Sequence, residues 1–168
     1  MANSQVSLIM GSVSDWDTLK SASKILTDFD IAYEVRVISA HRTPKLLYEY
    51  SQNAKSRGIK IIIAAAGAAA HLPGMTSALS ILPVLGVPVK SKTLNGVDSL
   101  LSIVQMPAGI PTATFAIGDS GAINAALFAV RILAVTNDIL AEKLTQYITN
   151  QENSVLESEK QLLKDLDL

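Results

Sequence analysis

Between Lys60 and His71 the chain reads KIIIAAAGAAAH, an apolar run from Ile61 to Ala66 with no polar interruption and a glycine at its end. Three β-branched residues in a row favour a strand. A strand that is apolar at every position needs cover on both faces, as the central strands of parallel sheets do. That requirement constrains everything else in the chain: it calls for a parallel sheet with a layer on each side.

Other segments supply the rest of such a sheet. VSLIM, Val6 to Met10, ends at Gly11; AYEVRVIS breaks at AHRTP; PVLGVPVK is cut by prolines; TATFAI ends at GDSG. Helical spacing fills the intervals. Leu19, Ala22, Leu26 and Phe29 share one face, with Ser14 as the expected N-cap and Asp15 and Asp17 in the first turn, where the helix dipole favours carboxylates. Thr43 and Pro44 form an N-cap and N1 pair for a helix to about Arg57. Further helices are expected over Met75 to Ile81, from Gly96 through GVDSLLSIVQM, and over Ala122 to Asn137. The alternation of strand, turn and helix gives an α/β fold with a central parallel sheet and helices on both faces.

The chain of 168 residues is read as one domain, residues 1–168. Its tail, about 138–168, forms an extra C-terminal helix with Val155, Leu156, Leu162, Leu163 and Leu166 on one stripe. That stripe fits packing on a neighbouring subunit or on its own domain. Hydrophobic residues make up 49% and charged residues only 17%, below the usual quarter, so burial against copies of the same chain is expected as well as burial inside the fold. The absence of cysteine excludes a disulfide framework and a thiolate metal site, and two histidines argue against a multi-histidine metal site. A net charge of −1 with no basic run argues against nucleic acid. MANSQVSLIMGS lacks the charged start of a signal peptide, and the longest apolar tract is broken well before the ~20 residues of a membrane span, so a soluble, cytoplasmic protein is expected.

Open parallel sheets bind ligands outside the carboxyl ends of their strands. Gly11, Ser12, Ser14 and Asp15 follow the first strand. Ser39, Ala40, His41 and Arg42 follow the second. Gly67, the alanines, His71, Leu72, Pro73 and Gly74 follow the third, and Gly118, Ser120, Gly121 and Asn124 the last. Both histidines therefore fall on one edge. A glycine, small hydroxyls and a helix start suit an anion, and Asp15 suits ribose hydroxyls, although a turn with a cap has the same composition. Arg42 suits a phosphate through its planar fork, and His41 can exchange a proton near neutral pH. In their plainer roles His41 packs on its loop and Arg42 pairs with a surface carboxylate. The alanines and Gly67 let a planar ligand approach the backbone, or simply pack tightly. There is no nucleophile elbow, phosphate-binding Walker loop or metal-ligand spacing. What remains is a small phosphorylated ligand beside an imidazole, which supports proton transfer without a cofactor.

MGSVSDW, SAHRTP, AAHLPGM, GVDSLLSIVQMP and AIGDSGAINAAL resemble, in order, the motifs of the class I 5-(carboxyamino)imidazole ribonucleotide mutases, the PurE family of purine biosynthesis. The resemblance runs from about Val6 to Ala134. It implies a flavodoxin-like three-layer α/β/α sandwich assembled as a homo-octamer. It also implies transfer of a carboxylate from the exocyclic nitrogen of an imidazole ribonucleotide to ring carbon four, with neither metal nor organic cofactor. His41 is then the general acid and base, and Ser12, Asp15, Arg42, Ser39 and Gly67 bind substrate. His71 supports as the second histidine. Class II relatives, which carboxylate aminoimidazole ribonucleotide directly with carbon dioxide, lack the AAHLPG segment and differ at Arg42 and Thr43. Ala65 and Ala68 stand where the family has glycines, and a methyl there at positive φ costs free energy and narrows the pocket. Asp119 stands where a lysine is expected. Two other readings are a non-catalytic flavodoxin-like module binding flavin or nucleotide, disfavoured by the few loop aromatics, and a phosphosugar isomerase, which lacks a second clear acid or base.

Overall fold

The strands of the sheet are β1 (Val6–Met10), β2 (Tyr33–Val37), β3 (Ile61–Gly67), β4 (Val84–Val89) and β5 (Ala113–Thr114). They are seen in a computed structural model that describes residues 4–167. Met1–Asn3, which open the stretch read above for a targeting signal, and Leu168, the end of the expected tail helix, lie outside the described residues. All four pairings are parallel, and the strand order is β2-β1-β3-β4-β5. The apolar run is the centre of this sheet: β3 pairs Ile61 to Ala65 with Val6 to Met10 on one side and Ile62 to Gly67 with Val84 to Val89 on the other.

Among the described residues six α-helices occur, in chain order: α1 (Trp16–Asp28), α2 (Pro44–Asn53), α3 (Leu72–Leu79), α4 (Val97–Val104), α5 (Asp119–Ala134) and α6 (Asp138–Asp165). The pleat divides β3 between two faces. Ile62, Ala64 and Ala66 join Ile9 in a core closed by Leu47 and Tyr50 of α2, Leu72 of α3 and Ile103 of α4. Ile61, Ile63 and Ala65, with Leu8 and Met10, are as completely buried on the opposite face, and α1, packed on β1, buries Leu19, Ala22 and Leu26. This is the flavodoxin-like layering, and the strand order is the one for which that fold binds its ligand between β1 and β3.

A buried polar group ties the β2 edge to α2. Tyr50 Oη donates to Ser7 Oγ (2.6 Å), which donates to Glu34 Oε1 (2.8 Å). Arg57, on the 3-10 turn Lys55–Arg57, donates to both oxygens of Glu34 at 2.8 and 2.9 Å, and its guanidinium lies 5.2 Å from the Tyr50 ring centroid. Burial pushes the Tyr50 hydroxyl up to about 12. Burial also works against the Glu34 carboxylate, but the hydrogen bonds from Arg57 and Ser7 outweigh it and hold the group below the usual glutamate value.

Several boundaries differ from the sequence reading. The first helical turn, Val13–Asp15, is a 3-10 turn capped by Ser12 rather than Ser14, and α1 starts only at Trp16. The second helix stops being α-helical at Asn53. α3 starts at Leu72 rather than Met75, with Pro73 in its first turn. β5 pairs over two residues only. Pro88 accounts for the last difference. Gly86 and Pro88 turn their peptide groups toward β5, since Gly86 O accepts from Phe115 N and Pro88 O from Gly118 N. Proline has no N–H for the next rung, so β5 leaves the sheet there.

The chain divides into two compact units, Met1–Ala129 and Val130–Leu168, with the cut inside α5. In the first, a Cβ on Gly121 would fall inside the radius of the Ala116 carbonyl, so only glycine fits that turn of α5. In the second, α6 is capped by Asn137, whose side chain accepts from Leu140 N, and buries Leu140 and Leu144. The stripe Val155, Leu156, Leu162, Leu163 and Leu166 is exposed. Among the described residues, no helix is long and apolar enough to cross a membrane.

Candidate functional site

Three loops meet at the carboxyl ends of β1, β2 and β3. The first is a capping box: Ser12 Oγ accepts from the turn it caps, and Asp15 Oδ2 accepts back from Ser12 N at 3.1 Å. This fixes both side chains above Gly11. Burial pushes the Asp15 carboxyl above its ordinary value, against hydrogen bonds from Ser12 and Ser14 and the charge of Arg42, which pull it down.

The second loop is closed by Thr43. Thr43 is the N-cap residue of α2, with Pro44 following it, but its hydroxyl makes no cap bond. Instead, the hydroxyl accepts from Ser39 N and donates to Ser39 O, each at 2.9 Å, so that Ser39 to Thr43 forms a closed turn. Within it, Arg42 Nε and N donate to Ser39 Oγ at 3.3 and 3.2 Å, and Arg42 Nη2 donates to Gly11 O at 2.9 Å. The guanidinium thus bridges the β1 and β2 loops and keeps its remaining N–H groups for a ligand.

The third loop leaves β3 at Gly67. Ala68 takes φ 55°, and two tight bonds, Ala70 N to Ala68 O and His71 N to Ala69 O, each 2.8 Å, bring the chain to His71. His71 Nδ1 lies 2.8 Å from His41 Nε2, the rings edge to face with centroids 4.9 Å apart. One of these two nitrogens carries the proton and the other accepts it, so the tautomers of the two rings are coupled.

The cleft enclosed by these loops measures about 300 Å³. All seven residues singled out from the sequence line it: Ser12, Asp15, Ser39, His41, Arg42, Gly67 and His71, joined by Gly11, Ala66 and Ala69 among others. Gly118, Ser120, Gly121 and Asn124, on the same edge of the sheet by sequence, are not among its lining residues. Of the two alanines at family glycine positions, Ala65 is extended inside β3 and wholly buried, so only Ala68 takes a positive φ, and it does not line the cleft. Asp119 opens α5, where its charge suits the helix N-terminus, and acts on Lys20 of α1. Sequence reasoning missed Ser99 of α4, whose Oγ accepts from Ala68 N; it reads simply as a helix residue 31 positions away. Among the described residues, no group of three His, Asp or Glu side chains could hold a metal ion.

The AIR carboxylase family model matches residues 5–154. The N5-carboxyaminoimidazole ribonucleotide mutase of Bacillus subtilis is 57% identical over 158 residues, covering 94% of this chain and 98% of that protein. The enzyme of the same name from Pseudomonas aeruginosa is 56% identical over 153 residues, covering 91% and 94%. Among solved structures, that of Treponema denticola PurE superposes with a TM-score of 0.85 at 26% identity, covering 94% of this chain and 97% of that one.

Proposed function

The chain belongs to the AIR carboxylase family, and from that premise we propose that it is the mutase of purine biosynthesis that converts 5-(carboxyamino)imidazole ribonucleotide to 5-amino-4-imidazolecarboxylate ribonucleotide. The observation that carries this reading is one cleft holding a coupled histidine pair beside Arg42 and the Ser12–Asp15 turn. Arg42 and the N–H groups of the β1 turn suit the phosphate. Asp15, acting as an acceptor, suits the ribose hydroxyls. The ring then lies against Gly67 and the alanines, with its exocyclic nitrogen toward His41.

The reaction conserves protons. Breaking the N–CO2 bond leaves its electron pair on the exocyclic nitrogen, and protonated His41 delivers a proton there, giving carbon dioxide and aminoimidazole ribonucleotide. Ring carbon four then attacks the retained carbon dioxide, and His41, now neutral, removes the proton from that carbon. The histidine ends as it began, so no cofactor is consumed. A closed cleft keeps the carbon dioxide from escaping between the two halves. In the same reading the whole chain is one catalytic domain, α6 packs on a neighbouring subunit, and a homo-octamer works in the cytoplasm. The exposed apolar side chains of α4 and α6 support the assembly.

The test offers purified protein the carboxyamino substrate, or aminoimidazole ribonucleotide, each with and without bicarbonate. Conversion of the first at a rate independent of bicarbonate is expected, and His41→Asn should lower turnover by about 10²–10⁴-fold while ligand still binds. Conversion only of aminoimidazole ribonucleotide with added bicarbonate marks a direct carboxylase instead. Full turnover in the His41 variant overturns the assignment of that residue.

A further inference from the structure

We propose that Ser99 is a positioning residue for the histidine pair: its buried hydroxyl holds Ala68 in the left-handed conformation that carries His71 to His41. Ser99 has no exposed surface, and its Oγ uses both its capacities. It accepts from Ala68 N at 2.8 Å and donates to Val89 O at 2.7 Å. Gly67 and Val89 are the last paired residues of β3 and β4. The next rung of a parallel ladder would run from Ala68 N–H to Val89 O. The Ser99 hydroxyl stands between those two groups and satisfies both. β3 is thereby released from β4 one residue early, without leaving a buried polar group unpaired.

That early release decides the path of the site loop. Ala68 turns to φ 55°, a region few non-glycine residues enter, and the chain reaches His71 within three residues. Ser102 adds a weaker hold, 3.2 Å from Ala68 O, its shorter partner being Asp98 O at 2.7 Å. Without the Ser99 hydroxyl, Ala68 N–H and Val89 O lose their partner, and Ala68 relaxes toward the ordinary negative φ. His71 then moves off His41. Ser99 touches no substrate; it acts through the backbone.

The kinetic arm of the test rests on the mutase reading, whereas the spectroscopic arm does not. In the wild-type protein, nitrogen-15 NMR of the imidazoles should show the hydrogen-bonded pair without substrate. Ser99→Ala should lose that signature and lower kcat on 5-(carboxyamino)imidazole ribonucleotide by about 10²-fold, the size of effect a 1 Å misplacement has, with KM little changed. Ser99→Ala combined with Ala68→Gly should recover both, because glycine takes positive φ unaided. A folded Ser99→Ala protein with unchanged imidazole signals and kcat overturns the proposal, and so does failure of the glycine to rescue. Should the alanine variant not fold, Ser99→Cys, with a weak donor and acceptor in its place, is read by the same two measurements. Imidazole signals that depend on Ser99 in a protein that converts no substrate would sink the mutase reading and leave the Ser99 proposal standing.

Discussion

A methyl group on Gly67 would meet Val89 Cβ at 3.5 Å, an ordinary contact, and the residue does not need a positive φ. Nothing in the folded chain therefore requires glycine there. Gly67→Ala should fold normally and gain about 0.4–1 kcal/mol from the stiffer unfolded chain, seen as an equal or higher Tm. Its KM for the phosphorylated substrate should rise, since the remaining reason for glycine is a ligand lying on the backbone. An unchanged KM removes Gly67 from the binding surface. At this scale the sequence points to His41, Arg42 and Asp15 by their side-chain chemistry, and all three line the cleft. It failed where a hydroxyl chose between partners. Thr43 occupies the N-cap of α2 as its spacing predicts, but its hydroxyl closes the loop onto Ser39 instead of bonding the first turn, and Ser12 takes the capping role assigned to Ser14. Both alternatives lie within a few residues of one another, so spacing does not separate them.

The elements were legible in proportion to their burial. β3 is apolar at every position and β1 at every position but Ser7, and their centres fall where the runs are. β5 shrank to Ala113–Thr114 because of Pro88 on its neighbour, a determinant outside its own segment. α3 starts at Leu72, ahead of the helix expected from Met75, because Pro73 suits the first helical turn as well as it suits a loop. α2 is held to the sheet edge by Glu34, Arg57, Tyr50 and Ser7, a network spread over fifty residues and invisible to periodicity. Glu34 titrates below its ordinary value of 4.5 in the folded protein, so the stability it contributes is complete above that value. It is lost as pH falls through the lowered folded value. Glu34→Gln should cost about 1 kcal/mol at neutral pH, the pair being partly exposed. The variant's denaturation midpoint should then depend less on pH through the acid range than that of the wild type. Identical acid limbs in the two proteins would show that the ion pair contributes nothing.

For the whole molecule, the low charged fraction finds its counterpart in the apolar side chains left on the surface. Leu94, Val97, Leu101 and Val104 are each about half exposed and follow helical spacing along and before α4. They form a stripe that isolated chains would present to water. Sedimentation at micromolar concentration should therefore give a mass several times 17.8 kDa, and a single-chain mass contradicts the assembly reading. The two borders of the sheet bear on how copies come together. On one side β5 offers two residues and lies beside a proline. On the other, β2 sets the exposed charge of Arg36 between the exposed Val35 and Val37, while Glu34 is taken up by Arg57 and Ser7. Neither border is a template for adding a strand. A protein this apolar would be a candidate for fibrils if its backbone could be extended sideways. With neither border open to a further strand, association in the assembly reading runs through side-chain packing between helices, which can end in a finite particle instead of an open-ended one.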